Sequence, residues 1–215
     1  FWRALLAPFF KLFYRPEIRG IKHLPRRGAA LLLPNHVTWI DVFLLSFVAG
    51  RPIRYLMHKE YFENPWMHWF VKSFEPIPIE PGNKESVNRA MAEARQALKD
   101  GELVAIFPEG TLTRTGSMQR FKRGLESIAK GLEAPTLPVY LDGLWGSVFS
   151  RAEGASVLRS ILRLGRSVRI HFGPPLPEPT VDTARDAVEQ LAAQSMADRI
   201  RGRHETLPLA FLRAA

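Results

Sequence analysis

The sequence predicts an α/β layered fold: a largely parallel sheet flanked by helices, with an amphipathic N-terminal segment ahead of it. Three observations lead there. Short, bounded apolar runs at 29–33, 53–57, 103–107, 136–141 and 167–172 have the length and composition of buried strands. Segments with helical spacing of apolar residues lie between most of these runs, as in a sheet built by helical crossovers. Gly, Pro and Asp punctuate the junctions. Hydrophobic residues make up 46% of the 215 positions, enough to cover both faces of such a sheet. The chain divides into a segment at 1–16, one domain at 17–204, and a linker or tail at 205–215 that could lead to a further domain.

Taken in order, residues 1–14 are short and aromatic, with Arg3, Lys11 and Arg15 among or beside the apolar positions. That composition fits an amphipathic membrane-surface segment; a surface helix packed on its own domain is the other reading. The strand at 29–33 follows Gly28, and a helix at 37–48 follows it, closed by Gly50. After the strand at 53–57 comes an aromatic stretch, 61–70, with a helix at 65–74. It could line an apolar groove, lie among lipid headgroups or pack in the core. Residues 76–80 are a Pro-bounded extended piece. The clearest helix is 85–99, where Val87, Ala90, Met91, Ala94 and Leu98 share one face and Asp100-Gly101 supplies the stop. A helix at 121–131 follows the strand at 103–107. After the strands at 136–141 and 167–172, the Pro-rich 173–179 connects to a last amphipathic helix marked by Val181, Ala184, Val188, Leu191, Ala192 and Met196.

Composition excludes several classes. With no cysteine there is no disulfide framework, thiolate nucleophile or Cys-based zinc site, and no metal site is read elsewhere. Thirty Lys and Arg against 21 Asp and Glu give a net charge of +9, which suits anionic lipid, an acidic partner protein or nucleic acid. Zinc-finger spacing, RNP-like aromatic motifs and long basic runs are missing, so a nucleic-acid partner is not expected. No apolar stretch approaches the ~20 residues that span a bilayer.

Two polar segments each follow a buried-looking strand directly: 34–41, containing Asn35, His36 and Asp41, and Phe107-Pro108-Glu109-Gly110-Thr111. Strand ends in α/β sheets are where sites collect. An imidazole with a carboxylate on its second nitrogen can take a proton from a hydroxyl. On one straight helix, positions five apart diverge by roughly 140°. His36 and Asp41 can therefore meet only if His36 lies in the turn and Asp41 in the first helical turn, which Pro34 favours. Otherwise Asn35 caps the helix, His36 is an ordinary turn residue, and 109–111 is a tight turn with a capping Thr. No nucleophile elbow is present, so attack by the substrate hydroxyl itself is favoured over a covalent enzyme intermediate.

Together, in this order, the two segments resemble the glycerophospholipid acyltransferase family. Asn35-His36-x4-Asp41 is similar to its NHxxxxD block, 107–111 to its FPEG block, and Leu137-Pro138-Val139 to its closing strand. The resemblance covers roughly 17–173. It implies His36 as general base, Asp41 as its orienting partner, and Glu109, Gly110 and Thr111, with Asn35 beside the base, as part of the acceptor site. It further implies a lysophospholipid acceptor, a membrane phospholipid surface and an acyl-CoA or acyl-carrier-protein donor, with no other cofactor. The expected location is peripheral, at the cytoplasmic face of the inner or plasma membrane, or within a larger membrane protein.

Two positions depart from members that make phosphatidic acid. Leu112 and Pro81 stand where those members carry Arg, the natural fork for a phosphomonoester. The stretch 107–121, with Thr113, Thr115, Gly116 and Ser117, instead resembles the acyltransferase domain of bacterial 2-acylglycerophosphoethanolamine acyltransferases, as do 144–150 and 205–207. Lysophosphatidylethanolamine is thus the first expected acceptor and 1-acylglycerol-3-phosphate the second. Arg114 and Lys122, with Arg120 and Arg123, are the cations near enough in sequence to meet a phosphate, or else form a solvated basic face. A non-catalytic membrane or carrier-binding module is the alternative of another class.

Overall fold

The structure is a computed structural model that describes residues 10, 13–65, 68–147 and 166–212, with backbone alone at 69, 70, 166 and 202–212. Among the described residues seven strands form one sheet: β1 (Tyr14–Arg19), β2 (Ala30–Pro34), β3 (Ile53–His58), β4 (Ile77–Ile79), β5 (Leu103–Ala105), β6 (Thr136–Asp142) and β7 (Arg166–Phe172). Their order is β1-β7-β6-β2-β5-β3-β4. All neighbours pair in parallel except β6 and β7. The carboxyl ends of β2, β3, β4, β5 and β6 therefore share one edge, and the loops leaving it converge.

The helices are α1 (Asp41–Ala49), α2 (His68–Phe74), α3 (Lys84–Lys99), α4 (Gly124–Ala129) and α5 (Val181–Leu212), with 3-10 turns at Ile21–His23 and Lys59–Glu63. Strand alternation sorts the apolar side chains into two layers. Ala30 and Leu32 join Tyr55, Leu137, Val139, Val168 and Ile170 beneath Leu44 and Leu45 of α1. Leu31 and Leu33 join Val104 against Ala90, Met91 and Ala94 of α3, Leu125 and Ile128 of α4, and Ala184 and Val188 of α5. Helix α3 starts where the Asn83 side chain accepts from the Ser86 amide at 3.1 Å and stops at Gly101, whose φ of +85° suits the left-handed turn.

Three boundaries move. Tyr14–Pro16, assigned above to the N-terminal segment, belong to β1, in parallel register with β7 from Tyr14↔Arg166 onward. Phe10, within the segment expected at a membrane surface, is 1% exposed and stacks on Phe47 at 5.1 Å, so its ring belongs to the core; positions 1–9, 11 and 12 lie outside the described residues. The helix expected from 37 begins at Asp41, because the Asp41 carboxylate bonds the amides of Val37 and Thr38 into a turn. At the other end, helix runs on through 205–212, where a linker or tail was expected. In the aromatic stretch, Trp66 and Met67, and the side chains of Trp69 and Phe70, lie outside the described residues, as do 148–150.

Candidate active site

His36 leaves the end of β2 in a turn, and Asp41 opens α1, the arrangement that brings the two together. His36 Nδ1 lies 3.0 Å from Asp41 Oδ2. The same oxygen accepts from the amides of Val37 at 2.7 Å and Thr38 at 2.9 Å, while Oδ1 accepts from Thr38 Oγ1 at 2.5 Å. Asp41 is fully buried, and these four donors take the place of water around its carboxylate. A carboxylate at Nδ1 selects the tautomer that donates from Nδ1 and leaves Nε2 as the acceptor. The imidazole keeps 16% of its side-chain surface exposed and lines a cavity of about 850 Å³. Phe107 lies flat on it, with ring centroids 3.8 Å apart and planes 21° apart.

The second segment grips the first. Glu109, 2% exposed, accepts from the His36 amide through Oε1 at 2.8 Å and from the Gln119 amide through Oε2 at 2.8 Å. The Thr113 amide donates to the His36 carbonyl at 3.0 Å. Burial pushes the Glu109 carboxyl above its ordinary pKa, and the amides of Gln119 and His36 pull the other way. Asn35 pairs its side chain with the backbone of Leu141 in β6, donating to the carbonyl at 3.1 Å and accepting from the amide at 2.7 Å. The turn carrying the base is thus fastened to β6 on one side and to the 107–121 loop on the other.

Of the residues expected to meet the acceptor, Gly110, Thr111 and Lys122 line the cavity; Asn35, Glu109 and Arg114 do not. Arg114 is exposed. Gly110 has φ +69°, and a Cβ there would lie 2.5 Å from Lys122 Nζ, so the glycine is the saddle over which the lysine passes. Leu112 and Pro81 also line the cavity, Leu112 at 4% exposure. Most of the rest is apolar: Val42, Phe43, Leu56, Ile79, Val87, Met91 and Ile106. The Tyr55 hydroxyl donates to Val42 O at 2.8 Å and lies 2.7 Å from Ser46 Oγ; burial pushes its pKa up, which keeps the cavity wall uncharged there. Trp39, 40% exposed, stands at the cavity with Tyr61 edge-on at 4.8 Å.

Sequence reasoning missed Thr38 and Phe107 as partners of the pair. Thr38 carried a signal, a hydroxyl residue three positions before an aspartate at a helix start. Phe107 carried none beyond its adjacency to Pro108, because its contact depends on the β2–β5 pairing.

A sequence model of the family described as Acyltransferase matches residues 15–142. The chain is 30% identical over 126 residues to the 1-acyl-sn-glycerol-3-phosphate acyltransferase of Pseudomonas aeruginosa, covering 58% of this chain and 48% of that one. It is 32% identical over 128 residues to the Bacillus subtilis enzyme of the same name, covering 59% and 62%. It thus spans about half the length of the first and under two thirds of the second. The crystal structure of the 1-acyl-sn-glycerophosphate acyltransferase of Thermotoga maritima superposes with a TM-score of 0.66 at 19% identity, over 91% of this chain and 77% of that one, which shows a shared fold. The family match takes in both polar segments and more than half of the sequence, and the chain belongs to the acyltransferase family.

Proposed function

We propose that the chain transfers a fatty acyl group from a thioester, acyl-CoA or acyl-carrier protein, to the free hydroxyl of a lysophospholipid at a membrane surface. The observation that carries this reading is His36, bonded to Asp41 through Nδ1 and lining a large apolar cavity that also holds Lys122. The acceptor hydroxyl gives its proton to His36 Nε2 as its oxygen adds to the thioester carbonyl. The tetrahedral intermediate collapses, the C–S bond breaks, and the imidazolium returns the proton to the leaving sulfur. Asp41 stabilises the imidazolium between the two transfers. Neither step needs a nucleophile from the protein.

For the acceptor, the names of the relatives support 1-acylglycerol-3-phosphate better than a lysophospholipid with a headgroup. Lys122, which passes over Gly110 and lines the cavity, supports that reading as a cation able to meet its phosphate. A specific feature keeps the ethanolamine reading in play: Leu112 and Pro81 put apolar surface where an Arg would neutralise a dianion. The test is kcat/KM for both acceptors, with each donor, in the parent, Lys122→Ala and Leu112→Arg. The phosphatidic-acid reading expects the parent to favour 1-acylglycerol-3-phosphate and Lys122→Ala to lose about ten- to a hundredfold on it, the worth of a charged hydrogen bond. A parent that favours lysophosphatidylethanolamine, with Leu112→Arg reversing the preference, establishes the second reading. No transfer to either acceptor defeats both. Membrane association, peripheral and at the cytoplasmic face, goes with this reading; among the described residues no helix is long and apolar enough to cross a bilayer.

A further inference from the structure

The resemblance put Glu109 in the acceptor site, yet a carboxylate is a poor neighbour for an anionic phosphate, and this one has its two oxygens turned away from the cavity. One takes the amide of His36, the other the amide of Gln119, each at 2.8 Å. Glu109 is 2% exposed and is not among the residues that line the cavity. Seventy-three residues separate Glu109 from His36, so the bond ties together loops from two different strands. The His36 peptide is held from the same loop a second time, by the Thr113 amide on its carbonyl at 3.0 Å.

We propose that Glu109 is a positioning residue and not an acceptor ligand: its carboxylate straps the backbone of His36 to the 107–121 loop and so sets where the imidazole stands over the cavity. The assignment rests on His36 as the base. The geometry explains why the position carries Glu. One carboxylate accepts two amides that point at it from opposite loops. An amide side chain of equal size accepts one and confronts the other with its own N–H groups. A shorter Asp reaches only one of the two. The ring of Phe107, from the strand end just before Glu109, rests on the imidazole, so the same loop fixes both the backbone and the plane of the base.

The roles part in kinetics. An acceptor ligand, once lost, raises KM for the acceptor; a lost positioning residue lowers kcat alike for every acceptor. It also slows hydrolysis of the thioester when water replaces the acceptor, because the same base serves both. Glu109→Gln should lower kcat by about a hundredfold, the cost of a misplacement near 1 Å, with acceptor KM within about twofold of the parent. Thioester hydrolysis should fall in step. Glu109→Asp should recover part of the rate.

A second measurement needs no activity. Labelling with ¹⁵N-histidine gives one backbone signal for each of the six histidines. In the parent, the His36 amide should exchange slowly with solvent deuterium although it sits in a turn, and in Glu109→Gln its signal should move and its protection fall by tenfold or more. A His36 amide that exchanges like a free loop amide in the parent overturns the strap. So does a Glu109→Gln variant with acceptor KM raised tenfold and kcat unchanged, which makes Glu109 a ligand. A parent that transfers no acyl group defeats the proposed function, while the amide measurement still decides whether the strap exists. Should Glu109→Gln fail to fold, exchange in the parent is decisive alone.

Discussion

Two carboxylates, the buried Asp41 and the part-buried Asp142, sit near the same edge of the sheet on opposite faces, each with its charge felt by a histidine, and the protein treats them in opposite ways. Asp41 is held by two backbone amides, a hydroxyl and the imidazole of His36. Asp142, at the end of β6, is held by Ser195 Oγ at 2.8 Å and by Arg199, both from α5, with Arg169 of β7 at 4.0 Å. Arg169 reaches on to Glu17 of β1 at 3.0 Å. Burial would push the Asp142 carboxyl up, but Arg199 and Ser195, with the Gly143 amide, hold it below its ordinary value. The difference is one of purpose. Neutral donors fix Asp41 while leaving the imidazole as the one group beside it that can become a cation, so its charge is available to the proton-transfer step. Around Asp142 the charge is already spent on arginines that fasten α5 and β7 to the sheet.

The largest test of this contrast is His36→Ala. Loss of a general base costs about 10²–10⁴ in rate. The ring lies at the cavity rather than in either core, so the melting temperature should hardly change. Turnover above half that of the parent, at unchanged donor binding, would remove His36 from its role. Next is Asp41→Asn. The Asn carbonyl can replace Oδ2 toward Val37, Thr38 and His36, and the Thr38 hydroxyl can turn to accept from the new NH₂. The turn should survive, and the rate should fall by about ten- to a hundredfold, the worth of the charge-assisted bond. Circular dichroism and kcat on the same sample separate the two. A collapsed fold would mean that the charge itself builds the turn.

Asp142→Ala should do the reverse. It leaves Arg199 without its partner, but Arg199 is 43% exposed and can return to water, while Arg169 keeps Glu17. The expected cost is about 1–2 kcal/mol, which lowers the melting temperature by roughly 2–8 °C in a chain of this size. kcat/KM should stay within about twofold at a temperature well below melting. A tenfold loss of kcat with little loss of stability would break the contrast, because it would tie α5 to the reaction.

The same contrast explains what could be read from the sequence. The donors to Asp41 lie within five residues of it, so the His36–Asp41 pair follows from local spacing once the turn is allowed. The buried strands and the crossover pattern follow from short-range periodicity in the same way. The α5 partners of Asp142 are 53 and 57 residues away, and the bond to the His36 amide comes from Glu109, 73 residues on. Those contacts exist only after the strands are ordered, and no spacing announces them. β1 escaped notice because Tyr14–Arg19 contains Pro16 and alternating charges, which suit an edge strand but not an apolar run. The segment holding Phe10 fitted a membrane surface for a related reason: an aromatic beside basic residues has the same composition whether its ring enters a bilayer or stacks on Phe47.

The smallest expected effect concerns the histidine on the structural side. His171 in β7 is buried at 3% exposure, and its Nε2 has no hydrogen-bond partner among the described residues. Burial lowers its pKa below the ordinary 6.5; Asp198 and Asp142 oppose that shift, and Arg19 and Arg169 assist it. The folded protein therefore binds this proton less readily than the unfolded chain. Stability from the neutral ring is complete above about pH 6.5 and is lost as pH falls through that value toward the depressed one. Melting temperatures of the parent and His171→Gln, measured from pH 7.5 down to 5.5, should converge by a few degrees at most, because Gln has no proton to gain. Parallel curves would show that the two aspartates compensate the burial of the imidazolium. The charge network around Asp142 would then accept a cation at His171, and the division between a side that titrates for chemistry and a side that is neutralised for packing would fail there.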